Sequence, residues 1–288
     1  MNNNIILEVI SKYEKSLQPL GFETKPFLIG WYNDKLSENF QLKYSYNTLA
    51  INILNTPNMF PKTFLEFIKK SDISDLDVKD DLLDESVNSV LHQINNKILE
   101  DCFENNNILL ETLIIRDNET NNVTRQPNVV VRTAGHVSGQ VRYYQRLDIP
   151  TDLDPWPKHQ KIFGCSFHDK YGGWFAFRGI IIFPQIEYPS LVYIDPPNPL
   201  LGDANLVVQL LNEFNFSWKT WKFRDVIDVD ERYNRAFMAY LSLPPGKQRK
   251  QLVKQWWNIL KNNSDDSTGI CLDQLFTGTE LLDWGMRL

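Results

Sequence analysis

The sequence has very few cysteines: Cys102, Cys165 and Cys271 are the three among its 288 residues. Because they are far apart and odd in number, we expect no disulfide framework of the kind that stabilises small secreted domains. The first residues also lack a basic segment followed by an apolar run and a small-residue cleavage site, so no secretory signal is predicted. Together these absences predict a protein of the cytosol.

Long apolar runs and an excess of positive charge are absent too. Apolar runs such as Gly-Ile-Ile-Ile-Phe at 179–183 are far too short to span a bilayer. Acidic residues outnumber basic residues by 36 to 30, which gives a net charge of −6. Nucleic acids and anionic membranes bind clustered lysine and arginine, so neither is predicted as a partner.

The common catalytic and nucleotide-binding templates are missing. The patterns Gly-x-Gly-x-x-Gly, Gly-x-x-x-x-Gly-Lys-Ser/Thr, Gly-x-Ser-x-Gly and His-Glu-x-x-His do not occur. The four histidines do not fall at metal-ligand spacing with the cysteines: they are His92, His136, His159 and His168. We therefore predict no metal site made of protein side chains.

Hydrophobic residues make up 42% of the chain and aromatic residues 12%, which is enough for a substantial core. Helical spacing predicts helices at 5–17, 60–71, 77–101, 134–146, 204–214, 231–241 and from 244 onward. Apolar runs predict strands at 27–32, 48–54, 108–115, 128–133, 162–167 and 174–183, the last two as a central hairpin. Because the strands come in pairs, we expect an α+β fold with a largely antiparallel sheet flanked by helices. We expect one domain at 1–263 and a tail of unknown role at 264–288.

The predicted strand at 174–183 carries an arginine in an otherwise apolar sequence. A two-residue period places Arg178 on one face with Ile180 and Ile182, and both faces are apolar. Such a strand lies inside a covered sheet, where an unpaired guanidinium is very costly. Arg178 therefore needs an anionic partner. The partner is either an internal aspartate or glutamate, the commoner case, or the carboxylate or phosphate of a ligand.

Aromatic, arginine and glycine residues are concentrated at 128–179, with a second basic and aromatic cluster at 216–225. Guanidinium groups pair with anions while rings cover apolar faces, so this composition suits a large, flat, partly anionic organic ligand. The alternative is an ordinary aromatic core with basic residues that reach solvent. His136 has the same two interpretations, a core histidine or a residue that faces a ligand.

Six strings along the chain carry a specific resemblance. They are LNTPNMF at 54–60, TAGHVSGQVRYYQRLD at 133–148, DPW at 154–156, FGCSFHDKYGGWFAFRG at 163–179, FNFSWKTWKFRD at 214–225 and ERY at 231–233. In this order they resemble the intracellular cobalamin-processing family CblC, also called MMACHC. The similarity runs from about residue 5 to about residue 249.

This resemblance implies a flavin nitroreductase-like α+β scaffold whose large cavity holds vitamin B12 with its lower base detached from cobalt. It implies reductive decyanation of cyanocobalamin, with electrons from NADPH through FMN or FAD, and transfer of the alkyl group of alkylcobalamins to glutathione. It also implies a chaperone role, in which a downstream cobalamin-trafficking protein receives the product, and it leaves ligand-induced homodimerisation open. Two rivals stay open as well: an FMN-dependent nitroreductase and a B12 carrier without enzymatic activity.

By the same resemblance, three arginines hold the two carboxylates of glutathione. They are Arg178, Arg224 and Arg249, with Gln248 as the alternative for the third position. Positive charge beside the thiol favours its reactive thiolate form. The resemblance thus favours a ligand carboxylate as the partner of Arg178.

The family pattern for cobalamin falls on Asp117, Val129, Val130, Val131, Arg132, Tyr143, Tyr144, Gln145, Ser166 and Phe177. Positions 129–132 are expected along one strand. Trp174 and His136 are expected as further cavity residues, with Trp174 on the same strand face as Arg178. Cys165 is expected to point away from Ser166, so we assign no role to its thiol.

Overall fold

The computed structural model describes residues 3–72, 81–102, 110–262 and residue 275. The strands in that part of the chain are β1 Phe22–Leu28, β2 Thr48–Asn55, β3 Leu113–Arg116, β4 Arg142–Tyr144, β5 Cys165–Phe167 and β6 Ala176–Glu187. A four-stranded sheet has the order β1-β2-β6-β3, and β4 and β5 form a second, two-stranded sheet. Every pair is antiparallel, which confirms the predicted mixture of helices with an antiparallel sheet.

The α-helices of the described residues are α1 Asn3–Leu17, α2 Ile29–Asn33, α3 Leu65–Lys70, α4 Leu82–Cys102, α5 Val131–Val137, α6 Ala204–Phe216, α7 Arg235–Ser242 and α8 Lys247–Asn262. A turn of π-helix at Phe60–Phe64 leads into α3. Short 3₁₀ helices lie at Gln18–Leu20, Glu38–Phe40, Arg146–Asp148, Trp218–Thr220 and Lys222–Asp225. None of the helices in this part of the chain combines the length and the apolar character needed to cross a membrane.

One face of the four-stranded sheet packs against α1 and α4. Ile181 of β6 belongs to this core together with Tyr13 of α1 and Val87 of α4, all of them buried. The Tyr13 hydroxyl donates a 2.6 Å hydrogen bond to Asn95 Oδ1, which ties α1 to α4. Removal of apolar surface from water, at about 25 cal/mol per Å², is the main stabilising contribution of such a core.

The opposite face of the sheet packs against α2 and α5. Ile180 and Ile182 of β6 lie in this second core with Ala134 and Val137 of α5. The sheet is therefore covered on both sides, as the apolar run in β6 predicts.

The two C-terminal helices join the first core through aromatic rings. Phe60 stacks on Phe237 of α7 with 4.8 Å between ring centroids, and Trp256 of α8 meets Phe60 edge-on at 5.4 Å. The indole N–H of Trp256 donates a 2.9 Å hydrogen bond to the carbonyl of Leu275. These contacts fix the beginning of α8 beside the N-terminal end of α4, where the site described below is found.

Several predicted elements are confirmed. The helices predicted at 5–17, 60–71, 204–214, 231–241 and beyond 244 overlap α1, the π-turn with α3, α6, α7 and α8, and the strand predicted at 48–54 is β2. The helix predicted at 77–101 is α4, and the strand predicted at 108–115 overlaps β3 at 113–115. Positions 77–80, 108–109 and, apart from Leu275, the predicted tail at 264–288 lie outside the described residues.

The first strand was predicted too late in the chain. The prediction covered 27–32, whereas β1 is Phe22–Leu28 and Ile29–Asn33 form α2. The apolar run at 27–32 is buried in both elements, so burial alone does not indicate where the strand ends.

The strand predicted at 128–133 is also wrong, and the helix predicted at 134–146 is right only at 134–137. Position 131 begins α5, which ends at Val137, and β4 follows at Arg142–Tyr144. Three consecutive valines favour a strand locally. In the fold, Val129 and Val130 are buried against the second core, and the Val130 N–H donates a 2.9 Å hydrogen bond to the Tyr32 hydroxyl.

The predicted central hairpin does not form. β5 pairs with β4, whereas β6 pairs with β2 and β3, so the two segments belong to different sheets. A tight turn at 168–172 and the non-strand residues 173–175 separate them. Trp174 therefore lies before β6 and not on a strand face with Arg178.

A β-bulge in β6 sets the direction of the arginine. Ile53 of β2 lies opposite Gly179, but Leu54 lies opposite Phe177, so Arg178 has no partner in the register. A bulge reverses the alternation of side chains. Arg178 consequently points toward α4, whereas the regular two-residue period predicts the face of Ile180, which packs against α5.

The bulge depends on glycine at position 179, where φ is +123°. A Cβ at this position would lie 2.1 Å from the carbonyl oxygen of Ile115 in the neighbouring strand. A side chain is therefore excluded both by the backbone conformation and by contact with rigid backbone.

We expect Gly179→Ala to lower the free energy of unfolding by more than the roughly 1–3 kcal/mol of a strained backbone conformation. Gly246→Ala is the matched control, because φ there is +116° but no atom lies within 4 Å of the added Cβ. Guanidinium denaturation of both variants measures the difference. Equal losses of stability would show that the contact with β3 is unimportant.

Candidate functional site

A cavity of about 1700 Å³ opens between the two sheets and the C-terminal helices. Its walls come from the N-terminal end of α4, the beginning of β6, the segment 214–224, and the turn between α7 and α8. Six of the residues expected at the site line it: Arg132, Tyr143, Gln145, Arg178, Arg224 and Arg249. The three arginines expected to bind glutathione are thus brought together from distant parts of the chain.

Arg178 is buried, at 6% exposure, and lies at the inner wall of the cavity. Its Nε donates a 2.6 Å hydrogen bond to Asn55 Oδ1, and its Nη1 lies 3.7 Å from Asp84 Oδ1. Its backbone oxygen accepts a 2.9 Å hydrogen bond from Arg116 Nε. The internal aspartate, one of the two partners considered from the sequence, is therefore present, and the guanidinium also faces the cavity.

Arg224 is enclosed by aromatic rings. Its guanidinium carbon lies 4.9 Å from the ring centroids of both Trp221 and Phe223 and 5.4 Å from that of Tyr233. The Gly173 N–H donates to the Arg224 carbonyl at 3.1 Å, and Arg224 Nη1 donates back to the carbonyl of Gly173. This reciprocal pair fixes the arginine at the cavity wall.

The charge of Arg224 is not neutralised locally. Among the described residues, no carboxylate lies within 4.0 Å of it, and its buried Nε has no hydrogen-bond partner. Burial lowers the pKa of Arg224, and the nearby Tyr233 partly offsets this. Because arginine remains protonated in proteins, the cavity wall carries a desolvated cation that an anion would stabilise.

Arg249, in the first turns of α8, reaches the cavity from the other side. It pairs with Asp81 through Nη1, and its Nε donates a 2.9 Å hydrogen bond to the carbonyl of Leu243. The Tyr240 hydroxyl also donates to Asp81, and burial raises the pKa of that phenol. Arg249 lines the cavity, whereas Gln248 does not.

The short sheet of β4 and β5 forms a further wall. The Arg132 guanidinium lies 5.4 Å from the ring of Tyr143, and both face the cavity. Tyr144 points the other way and donates a 2.6 Å hydrogen bond to Asn198 Oδ1. Ser166 lies opposite Tyr143 in the register, and its buried Oγ has no partner among the described residues.

Trp174 lies behind the arginine wall. It is buried and stacks on Trp221 with 5.8 Å between centroids and 2° between planes. Its indole N–H donates a 2.7 Å hydrogen bond to Asp225 Oδ1. The ring therefore supports Arg224 and Trp221 instead of lining the cavity.

The remaining expected residues do not line the cavity: Asp117, Val129, Val130, Val131, His136 and Phe177. The valines pack in and against the second core, whereas Phe177 packs against Leu54, Val141 and Phe175 and approaches α5 at Gly135. The positions expected along one strand are thus divided between a loop and a helix.

Two of these residues are titratable. His136 Nδ1 accepts a 3.2 Å hydrogen bond from the Tyr143 N–H, and its pKa is lowered first by burial and then by Lys35 and Arg142. Burial raises the pKa of Asp117, and nearby Arg178 and Arg116 oppose that shift. Both are structural neighbours of the cavity walls in this conformation.

The mouth of the cavity is apolar and basic. Leu147, Phe163 and Trp218 line it and are 92%, 57% and 58% exposed. Lys161 Nζ lies 4.7 Å from the Phe163 ring, and Lys219 Nζ lies 5.6 Å from the Trp218 ring. Exposed apolar side chains at a concave site are typical of sites that bind organic ligands.

The sequence interpretation missed two acidic residues of the site. Asp81 and Asp84, at the beginning of α4, line the cavity, whereas the charge of this helix was interpreted as a solvated face. Periodicity places them on one helical turn, but the arginines that they meet are about 100 or more residues away in the sequence. No signal within the helix itself identifies such a partner.

The fold and the cavity define the class of protein: an α+β protein with a large cavity lined by arginines. The chain belongs to the methylmalonic aciduria and homocystinuria type C family, MMACHC, whose family model matches residues 21–253. This confirms the resemblance drawn from the six strings.

Curated relatives agree. The chain is 36% identical over 243 residues to the mouse "Cyanocobalamin reductase / alkylcobalamin dealkylase", covering 84% of this chain and 81% of that protein. The chicken protein of the same name is 36% identical over 244 residues, covering 85% and 95%. The crystal structure of the C. elegans B12-trafficking protein CblC has a TM-score of 0.76 at 26% identity and covers 94% of this chain and 100% of that one.

Cys165 lies next to the site but is buried, and burial raises the pKa of its thiol to about 12, with Arg224 acting in the opposite direction. We expect iodoacetamide at pH 8 to leave Cys165 unmodified in the folded protein, because the thiolate is the reactive form. Peptide mass spectrometry measures the labelling, and the same reaction in guanidinium chloride is the control. Stoichiometric labelling of the folded protein would contradict this assignment.

Proposed function

We propose that this protein binds cobalamin in the arginine-lined cavity and removes its upper ligand, by reductive decyanation of cyanocobalamin and by glutathione-dependent dealkylation of alkylcobalamins. The observation that carries the proposal is the cavity of about 1700 Å³ with three arginines on its walls, in a family whose curated relatives bear the names of these activities. Drug-sized ligands occupy cavities of about 300–1,000 Å³, so the larger volume suits a corrinoid.

The walls suit such a ligand chemically. The exposed rings of Phe163 and Trp218 offer apolar surface to the corrin faces, and Gln145 and Tyr143 offer polar groups to its amide rim. Among the described residues that line the cavity there is no histidine. A lower base that leaves cobalt is then not replaced by an imidazole from these walls, and five-coordinate cobalt is easier to reduce.

The arginines suit glutathione, which has two carboxylates and reacts as a thiolate. The guanidinium of Arg224 has backbone acceptors for Nη1 but no partner for Nε and, among the described residues, no carboxylate within 4.0 Å, so it suits an anionic ligand. Positive charge there lowers the pKa of a nearby thiol. In dealkylation the thiolate attacks the alkyl carbon, the carbon–sulfur bond forms, and the electron pair of the cobalt–carbon bond stays on cobalt.

Decyanation needs electrons, and the proposal assigns them to NADPH through FMN or FAD. The aromatic rings at the cavity mouth and the exposed guanidinium of Arg132 are groups that fit the flat ring and the phosphate of a flavin. The nitroreductase-like scaffold belongs to the same proposal and is supported by an antiparallel sheet with helices on both faces.

Three further parts of the proposal concern the whole protein. Residues 1–263 form the cobalamin-processing domain, and the tail at 264–288 has no assigned role. The protein acts in the cytosol, as its cysteine usage predicts. Its product passes to a downstream cobalamin-trafficking protein. Ligand-induced formation of a homodimer stays open, as the resemblance leaves it.

The first test is an absorbance titration of the protein into methylcobalamin, followed by anaerobic addition of glutathione. We expect a shift to the base-off spectrum and then formation of cob(I)alamin with S-methylglutathione. A base-off shift without reaction would favour a carrier or a decyanase that needs reduced flavin. Absence of any shift, together with NAD(P)H turnover on bound FMN, would favour the nitroreductase.

We expect Arg224→Gln to lower kcat/KM for glutathione by roughly 10- to 150-fold, the equivalent of a lost charged hydrogen bond of about 1.5–3 kcal/mol. The base-off shift should persist, because the corrin contacts other walls. Arg232→Gln is the matched control: this nearby arginine pairs with Asp225 and Asp228 and does not line the cavity. Equal effects of the two substitutions would remove Arg224 from the glutathione site.

A further inference from the structure

Two aspartates on one helical turn meet two of the three cavity arginines. Asp84 Oδ1 lies 3.7 Å from Arg178 Nη1, and Asp81 pairs with Arg249. Among the described residues, no carboxylate lies within 4.0 Å of Arg224. A cavity proposed to receive a dicarboxylate ligand thus already holds two carboxylates of its own.

The two aspartates differ in how firmly they are held. Asp81 Oδ1 accepts a 3.1 Å hydrogen bond from the Leu83 N–H and another from the Tyr240 hydroxyl, so it caps the beginning of α4. The Asp84 side chain is 39% exposed, and its Oδ2 accepts a 3.0 Å hydrogen bond from Asn118 Nδ2. Asp84 is therefore the counterion that a ligand can displace.

The contact of Asp84 with Arg178 is long for an ion pair. At 3.7 Å it is longer than the 2.7–2.9 Å of a charge-assisted hydrogen bond. The remaining donors of this buried arginine are available to a further acceptor, since Asn55 occupies only Nε. The aspartate neutralises the guanidinium without using its bidentate edge.

We infer that Asp84 is a specificity-determining residue that holds Arg178 in place of a ligand carboxylate and sets the affinity for the thiol co-substrate by competing with it. This inference rests on the proposed function, because it takes glutathione as the thiol. Without the ligand, Asp84 provides a counterion for the buried guanidinium of Arg178, which would be costly if left unpaired. With the ligand, its negative charge repels the incoming carboxylate across a few ångströms.

A competing role and a purely structural role of Asp84 predict opposite changes in glutathione affinity when Asp84 is removed. If Asp84 only positioned Arg178, its removal would weaken glutathione binding. If Asp84 competes with the ligand, its removal strengthens binding, and the effect is confined to thiols that carry carboxylates.

The test is Asp84→Asn, which keeps the size of the side chain and its contact with Asn118. We expect the KM for glutathione in methylcobalamin dealkylation to fall about 5- to 20-fold, with a smaller change in kcat. The Kd of S-methylglutathione, which keeps both carboxylates but cannot react, should fall by a similar factor in calorimetry. With 2-mercaptoethanol, which has no carboxylate, the KM of the variant for the thiol should not be lower than that of the wild type.

Glu85→Gln is the matched control, because it removes the same charge at the next position of α4 from an exposed side chain that does not line the cavity. It should leave the KM for glutathione and the Kd of S-methylglutathione unchanged. If Asp84→Asn proves poorly folded in thermal melts, Asp84→Glu is the second variant: it keeps the charge, brings it nearer Arg178, and should raise the KM for glutathione.

The outcomes distinguish a failure of the inference about Asp84 from a failure of the proposed function. If the wild-type protein uses glutathione but the KM and Kd of Asp84→Asn equal or exceed the wild-type values, the inference is overturned and the proposed function stands. A wild-type protein that neither reacts with glutathione nor binds S-methylglutathione overturns the glutathione part of the proposed function, and the inference with it.

Discussion

The outward turn of Arg178 at the β-bulge of β6 is the constraint on which the rest of the site depends. β6 is covered by helices on both faces, so a guanidinium in its regular alternation would enter an apolar core. The bulge turns the side chain toward the N-terminal end of α4, where Asn55 and Asp84 receive it. Gly179 makes the bulge possible, since β3 lies too close for any side chain at that position.

The three arginines of the cavity differ in whether a carboxylate lies beside them. Arg178 and Arg249 face aspartates, whereas Arg224 faces rings and a backbone carbonyl. Cation–π contacts stabilise a guanidinium in a partly dry environment without neutralising it. The cavity therefore keeps one strongly attractive point for an anion beside a broad apolar mouth. That combination fits a large amphipathic cofactor together with a small anionic reactant.

Side chains packed behind the cavity walls hold the lining residues in position. Trp174 stacks behind Trp221 and donates a hydrogen bond to Asp225, so packed rings support the wall that carries Arg224. On the far side, the ring contacts of Phe60 with α7 and α8 hold Arg249 near the beginning of α4. Of the residues expected at the site, His136 contacts the wall through the Tyr143 N–H, whereas Val129 and Phe177 pack in apolar clusters and do not line the cavity.

The sequence by itself determined the class of fold, the family, most helices, and the need of Arg178 for an anionic partner. These follow from local period, from composition, and from strings that are contiguous in the chain. The tertiary structure decided what local patterns cannot express. Three valines that favour a strand end in a loop and a helix because Tyr32 and the second core bind them there. The face of Arg178 depends on the carbonyl of Ile115 in another strand, and the partners Asp81 and Asp84 come from a helix about 100 or more residues away from the arginines that they meet. Contacts between distant segments fix these features, and no window of the sequence contains both sides of such a contact.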